Sequence, residues 1–307
     1  MERHMMLIAV DASPEAAAAA EFGSRLARTA GMHCQLVHAV HDPWAAALLA
    51  TNPLRTREFT RNLFTDARAQ IERALQGRVA PELLQDLIVE EGRAAEVIAD
   101  QAQTLQAGLI VLGGKYHSAL GRWLGGSTAH NVARTTTVPL LVTAGAPASV
   151  RRVLVALDTS GAAERTHDEA GRLARIFGAE LRALTVIELL PPMPEGVQID
   201  PQPYYDLCRE TIDSVVQPLV KKAGTELLIR RGPMLDTIKT EAAAWHADLI
   251  VVGSHSKSWT QRLILGSVTE GLLNHLPTSL LIVPVAVREP ATAGVRADAP
   301  ALVPALA

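Results

Sequence analysis

Three residue types recur at matched spacings and could do chemistry in this chain. Two aspartates, Asp11 and Asp158, each follow a short apolar run, Met5–Val10 and Val153–Leu157. A carboxylate just beyond a strand can accept hydrogen bonds from a ligand hydroxyl or amine. Two glycines, Gly113 and Gly253, end the most apolar runs of the chain, and glycine allows backbone to approach a ligand closely. The pairs Gly126-Ser127 and Gly266-Ser267 open the segments that follow. At a helix start, unpaired N–H groups, the helix dipole and a hydroxyl together make an anion site. Each feature also has a plain structural use: Asp-x-Ser as a turn or cap, Gly-Ser as an N-cap. Their convergence in a parallel α/β fold favours a phosphate-bearing ligand.

Other chemistry finds less support. His33, Cys34, His38 and His41 lie close in sequence, but adjacent strand residues point to opposite faces and no later partner has ligand spacing. No metal is expected. A Walker A lysine motif, a Gly-x-Ser-x-Gly elbow and a kinase signature are all missing, so no catalytic residue is assigned. Asp11 and Asp158 could serve as bases for slow phosphate hydrolysis, although hydrogen bonding to a nucleoside is the simpler use. Lys115, His117 and Arg122, with His255, Lys257 and Arg262, place cations between the glycines. They either complement phosphate or belong to ordinary solvated loops.

The elements that must position these residues come from an internal repeat. At the spacing that separates the aspartates, Arg25-Leu26-Ala27-Arg28 meets Arg172-Leu173-Ala174-Arg175, and Gly31 meets Gly178. Further on the spacing shortens: Ala107–Gly113 meets Ala247–Gly253, and Gly126-Ser127 meets Gly266-Ser267. The second copy therefore carries a net deletion in its middle. Each copy reads as strand, helix ending at Gly31 or Gly178, second strand (Cys34–Val40; Leu181–Ile187), variable loop and long amphipathic helix. The long helix runs through Phe59, Leu63, Ala67, Ile71 and Leu75, or through Leu207, Ile212, Val215, Val216 and Val220. A third strand (Leu83–Val89; Glu226–Ile229), a helix from near Arg93 or Pro233 and the fourth strand follow. A helix opening at Ser127 or Ser267 and a last strand (Leu140–Thr143; Leu280–Val283) close the unit. Alternating strands and helices imply right-handed crossovers and parallel sheets covered on both faces. The expected architecture is two tandem doubly wound α/β domains, residues 1–146 and 151–286, each with an open five-stranded parallel sheet. The Ala- and Pro-rich stretch 287–307 reads as a flexible tail.

Asp after the first strand, then Gly-x2-Gly-x9-Gly-Ser/Thr after the fourth, resembles the universal stress protein family in its tandem two-domain form. Ala247-Asp248-Leu249-Ile250-Val251-Val252-Gly253-Ser254-His255 and Val138-Pro139-Leu140-Leu141-Val142 carry the same resemblance. It implies an adenine-nucleotide alpha hydrolase-like fold, and a stress-response protein that binds ATP or a related adenine nucleotide. The aspartates would hold the adenosine, and the glycine loops with their Gly-Ser helix starts would hold the phosphates. Both copies depart at the second glycine, where Ser256 and Tyr116 stand. Serine can donate to a phosphate, whereas tyrosine is bulky enough to fill the site. Val268-Thr269 after Gly266-Ser267 also fits the nucleotide-binding pattern better than Thr128-Ala129. The second copy is the better candidate, through Asp158, Gly253, Ser256, Gly266, Ser267, Val268 and Thr269. The first offers Asp11, Gly113, Gly126 and Ser127. Binding without efficient turnover is the leading expectation, and a non-binding tandem scaffold paired through its last strands is the alternative.

Composition agrees with the fold. Hydrophobic residues make up 48% but aromatics only 4%, so Ala, Val, Leu and Ile must fill the core, as suits helices packed closely on parallel strands. With 29 Lys and Arg against 32 Asp and Glu, the net charge of −3 offers no general attraction to nucleic acid or anionic membrane. Cys34 and Cys208 fall in different halves and read as free thiols. No signal peptide or membrane span is expected, and the expected location is the cytoplasm. Partners expected are an adenine nucleotide, the other half of the same chain as a pseudo-dimer, and a second chain in a possible homodimer.

Overall fold

A computed structural model describes residues 5–41, 53–114, 128–190, 200–254 and 265–284. The first repeat runs β1 (Met5–Ala9), α1 (Pro14–Ala30), β2 (His33–Val40), α2 (Pro53–Leu75), α3 (Pro81–Gln85), β3 (Ile88–Glu91), α4 (Ala94–Thr104), β4 (Leu109–Gly113), α5 (Thr128–Thr135) and β5 (Leu140–Thr143). The second runs β6 (Arg152–Ala156), α6 (Ala163–Phe177), β7 (Glu180–Ile187), α7 (Gln202–Ala223), β8 (Glu226–Arg231), α8 (Met234–Ala244), β9 (Leu249–Gly253), α9 (Ser267–Asn274) and β10 (Ser279–Val283). Local chemistry sets several boundaries. Pro14 occupies the first turn of α1, and Ser13 Oγ accepts the Ala16 N–H at 3.3 Å. Gly31 and Gly178 end α1 and α6 in the left-handed region, at φ 64° and 63°, where a side chain would be strained.

Within each repeat five parallel strands take the doubly wound order, β3-β2-β1-β4-β5 and β8-β7-β6-β9-β10. The two sheets are continuous: β5 and β10 pair antiparallel, with Leu141 opposite Leu281, to give one ten-stranded sheet. Pairing equivalent strands antiparallel relates the repeats by a local two-fold axis. Ala144 N–H donates to Ser279 Oγ at 3.1 Å beside this seam. Phe22 and Phe177 stack across one face at 6.0 Å, and Arg134 reaches Glu270 across the other at 3.7 Å. Strand residues alternate between two cores. Ile8, Val111, Val155 and Val251 pack under α1, α2, α6 and α7, while Leu7, Ile110, Leu154 and Ile250 pack under α4, α5, α8 and α9.

Two expectations need correction. The third strand of the first repeat does not begin at Leu83, which lies in α3. Pro81 sets the first helical φ and Leu83 N–H bonds the Ala80 carbonyl, so extended structure starts only where Ile88 pairs with Val37. In α7 the buried stripe is Ile212, Val216 and Val220 at helical spacing; Leu207 and Val215 lie off it, 62% and 36% exposed. The stretch 287–307 lies outside the described residues. No described helix is long and apolar enough to cross a membrane.

One buried group predicts a pH dependence. His167, in α6, is buried with Nε2 3.2 Å from Thr225 Oγ1. Burial pushes its pKa below the ordinary histidine value, against a smaller opposing pull from Asp168. In the unfolded chain the ring titrates near ~6.5, so its neutral form contributes fully above that pH. That contribution is lost as the pH falls toward the depressed folded value. Urea unfolding of the wild type and His167→Gln at pH 7.5 and 5.5 checks this: the wild type should lose more stability between the two.

Candidate functional site

The candidate residues of the second repeat meet at the carboxyl ends of β6 and β9, where strand order reverses and open α/β sheets bind ligands. Asp158 follows β6, and its Oδ1 accepts both the Ser160 N–H at 3.1 Å and the Ser160 hydroxyl at 2.6 Å. The resulting turn passes on to α6, since Ser160 Oγ accepts the Ala162 N–H at 3.2 Å. Among the described residues nothing bonds to Asp158 Oδ2. The structural and the ligand-binding readings of this aspartate are thus compatible, because each can use a different oxygen.

Gly253 ends β9, and its carbonyl accepts the hydroxyl of Thr269 at 2.9 Å. Ser254 N–H bonds the Val283 carbonyl, and the Ser254 carbonyl accepts the Gly266 N–H, both at 2.9 Å. These three bonds seat the first turn of α9 against the ends of β9 and β10. Gly266 is the N-cap, at φ −61° and ψ 144°, a conformation open to any residue, and no side chain caps the helix. Among the described residues the N–H groups of Ser267, Val268 and Thr269 have no acceptor, so the helix presents the unpaired donors an anion needs.

Asp158, Gly253, Gly266, Ser267, Val268 and Thr269 line one cavity of about 280 Å³. Sequence reasoning missed part of its wall. The end of β7 adds Thr185, Val186 and Glu188, and α7 adds Tyr204 and Cys208. The switch-point rule points to the second strand's end as well as the first and fourth, so the β7 residues had a signal. The α7 residues had none, because tertiary packing alone brings that helix over the cleft. Tyr204 donates to the Glu188 carbonyl at 3.3 Å. Its side-chain hydrogen bond with Cys208, then burial, raise the phenol above its ordinary value, so it remains a neutral hydrogen-bonding group.

A second cavity, of about 400 Å³, includes Asp11 and Gly113 of the first repeat. Asp11 Oδ1 accepts the Ser13 N–H at 2.9 Å and also the Ser13 hydroxyl. Gly113 serves packing here: a Cβ would lie 2.6 Å from the Glu15 carbonyl and 2.8 Å from the Ala16 nitrogen. The first turn of α1 therefore rides directly on the end of β4. Gly126, Ser127, Tyr116 and Ser256 lie outside the described residues, as do the six loop cations. His38 lines the first cavity, its Nδ1 2.8 Å from the Val10 carbonyl. Burial raises the pKa of Cys34, with Arg28 opposing, which favours the thiol over the thiolate. Among the described residues no cluster of three or more His, Cys, Asp or Glu is placed to hold a metal.

The model of the universal stress protein family matches the chain twice, over residues 2–144 and 149–284. The chain belongs to the universal stress protein family. It has the family's tandem form, two universal stress protein domains in one polypeptide. A universal stress protein from Archaeoglobus fulgidus DSM 4304 is similar at 19% identity and a TM-score of 0.59, over 92% of this chain and 99% of that one. A functionally unknown protein from Pseudomonas aeruginosa PAO1 is similar at 16% identity and a TM-score of 0.60, over 92% and 93%. At such identities these likenesses concern the fold. No curated protein matches significantly.

The packing of Gly113 yields a stability test. Gly113→Ala forces α1 away from β4 and should cost about 1–3 kcal/mol, the usual penalty of overpacking. Gly161→Ala, with nothing within 4 Å of its Cβ, should stay within about 0.5 kcal/mol of wild type. Urea denaturation of both variants checks the contrast.

Proposed function

We propose that this universal stress protein binds ATP or a related adenine nucleotide, with the second domain as the stronger site and without efficient turnover. The observation that carries the reading is the convergence of Asp158, Gly253 and the uncapped start of α9 on one cavity. The resemblance of these positions to the family's nucleotide-binding pattern supports it. At about 280 Å³ the cavity lies at the small end of the ~300–1,000 Å³ usual for ligand sites. That volume suits a nucleoside, with the phosphates outside it at the exposed Ser267 end of α9.

Each group then has a role. Asp158 Oδ2 accepts from the ribose or the base, while Oδ1 keeps the turn. The N–H groups of Ser267, Val268 and Thr269, together with the Ser267 hydroxyl, donate to phosphate oxygens where the helix dipole favours negative charge. None of these groups activates a water or a nucleophile, which is why binding is proposed rather than hydrolysis. Anion capture would order backbone around the helix start and so bias partner choice. The protein would then act as an intracellular nucleotide-responsive element, in the cytoplasm.

Calorimetry tests the proposal. The wild type should bind ATP saturably, and Asp158→Ala should weaken binding by roughly tenfold, the loss of about one charge-assisted hydrogen bond. Gly266→Asp should abolish it in a folded protein: aspartate is a good N-cap, so its carboxylate would take the free N–H groups and repel phosphate. No heat and no thermal shift for the wild type at millimolar ATP would overturn the reading and favour a scaffold role, for which the continuous sheet is the supporting feature.

A further inference from the structure

The seam between β5 and β10 covers the inner edge of each half-sheet and leaves β3 and β8 at the two ends of the strand order. Among the described residues no strand pairs with the outer side of either. An edge strand turns every second residue's N–H and C=O away from the sheet, where another chain can bond them. On β8 the phase is fixed by the bond from Gly232 N–H to the Ile187 carbonyl. Gly232 turns toward β7, so Leu227, Ile229 and Arg231 turn their backbone groups outward.

The sequence of that edge is self-complementary. Glu226-Leu227-Leu228-Ile229-Arg230 carries an acid at one end, a base at the other and three apolar residues between. Two copies paired antiparallel about a two-fold axis at Leu228 set Glu226 opposite Arg230 of the second copy. Leu227 and Ile229 then stand opposite each other and exchange backbone hydrogen bonds across the axis. The charges already point to one face, since Glu226 and Arg230 alternate with Leu228, which packs on the core beneath α8. Within the chain Arg182 Nε donates to Glu226 at 2.8 Å, and Arg230 Nε donates to Glu241 of α8 at 2.5 Å. Pairing would join these into one alternating row: Arg182, Glu226, then Arg230 and Glu241 of the second copy. Glu226 and Arg230 keep 56% and 42% of their side-chain surface exposed, so both remain open to such a partner. The other edge lacks this property. β3 reads Ile88-Val89-Glu90-Glu91, with two acids and no base, so self-pairing gives its carboxylates no opposite charge.

We infer that the free edge of β8 is an interaction surface for a second copy of this chain, paired antiparallel about Leu228 into a sheet continuous across both. The inference is independent of the nucleotide reading. Sedimentation equilibrium of the full chain tests it. The wild type should form a dimer that dissociates on dilution and weakens with added salt, which screens exposed charges. Glu226→Lys sets like charges opposite each other on both sides of the axis and should weaken the dimer roughly tenfold or more; Arg230→Glu should do the same. Circular dichroism verifies that both variants fold. Mixed in equal amounts, the two should form a heterodimer close to wild-type affinity, because each pair across the axis then joins opposite charges. A wild type still monomeric at about 100 μM overturns the inference. So does a dimer insensitive to either substitution, a mixture of variants that stays monomeric, or open-ended assembly beyond the dimer, which would mark pairing of β8 with β3.

Discussion

The antiparallel pairing of β5 with β10 is the interaction on which the rest of the molecule depends. A five-stranded parallel sheet leaves its last strand with a row of unpaired backbone groups, and an exposed apolar edge of that kind invites uncontrolled pairing. Here each repeat covers the other's edge, and Leu141 and Leu281 meet in the buried centre. The seam also sets direction. Because the strands run opposite ways, the carboxyl edges of the two half-sheets, and the clefts they carry, point to opposite ends of the molecule. It is this reversal that brings Leu273 and Leu276, at the end of α9 and just beyond it, into the lining of the first cleft.

In the second cleft the groups that build the turn and seat the helix are the same ones to which the proposed binding role is assigned. Asp158 makes its turn through one oxygen, and the residue also lines the cavity. Thr269 anchors α9 to β9 through its hydroxyl, and its backbone N–H remains with those of Ser267 and Val268 at the helix start. Uncapped donors are costly when buried but not when a ligand or solvent reaches them, and Ser267 is exposed. The missing cap is thus consistent with a site that waits for an anion.

The repeats share an architecture and not a chemistry. Ser13 caps α1, while α6 begins without a side-chain cap. His38 stands in β2 where Thr185 stands in β7. Gly113 admits helix backbone at 2.6 Å, which assigns it to packing. Duplication of a unit relaxes the demand on each copy, and Leu273 and Leu276 give the first cleft a wall its own domain does not encode.

The doubly wound fold was legible in the sequence because local chemistry writes it. Apolar runs, terminating glycines at 31 and 178, the repeated Asp positions and Gly266-Ser267 all act within a few residues of themselves. The short third strand was misread because Leu83 and Leu87 are apolar in either conformation, and Pro81 decided for helix. Leu207 and Val215, read as part of the apolar run of the long helix, fall off its buried stripe because periodicity cannot say which stripe of a helix meets the sheet. The aspartates, the glycines and the start of α9 could be named from sequence, since their places at strand ends follow from connectivity. The seating of Tyr204 and Cys208 over the second cleft, and of Leu276 against Gly114 in the first, could not. Those contacts join residues far apart in the chain, and only helix packing and the β5–β10 seam bring them within reach.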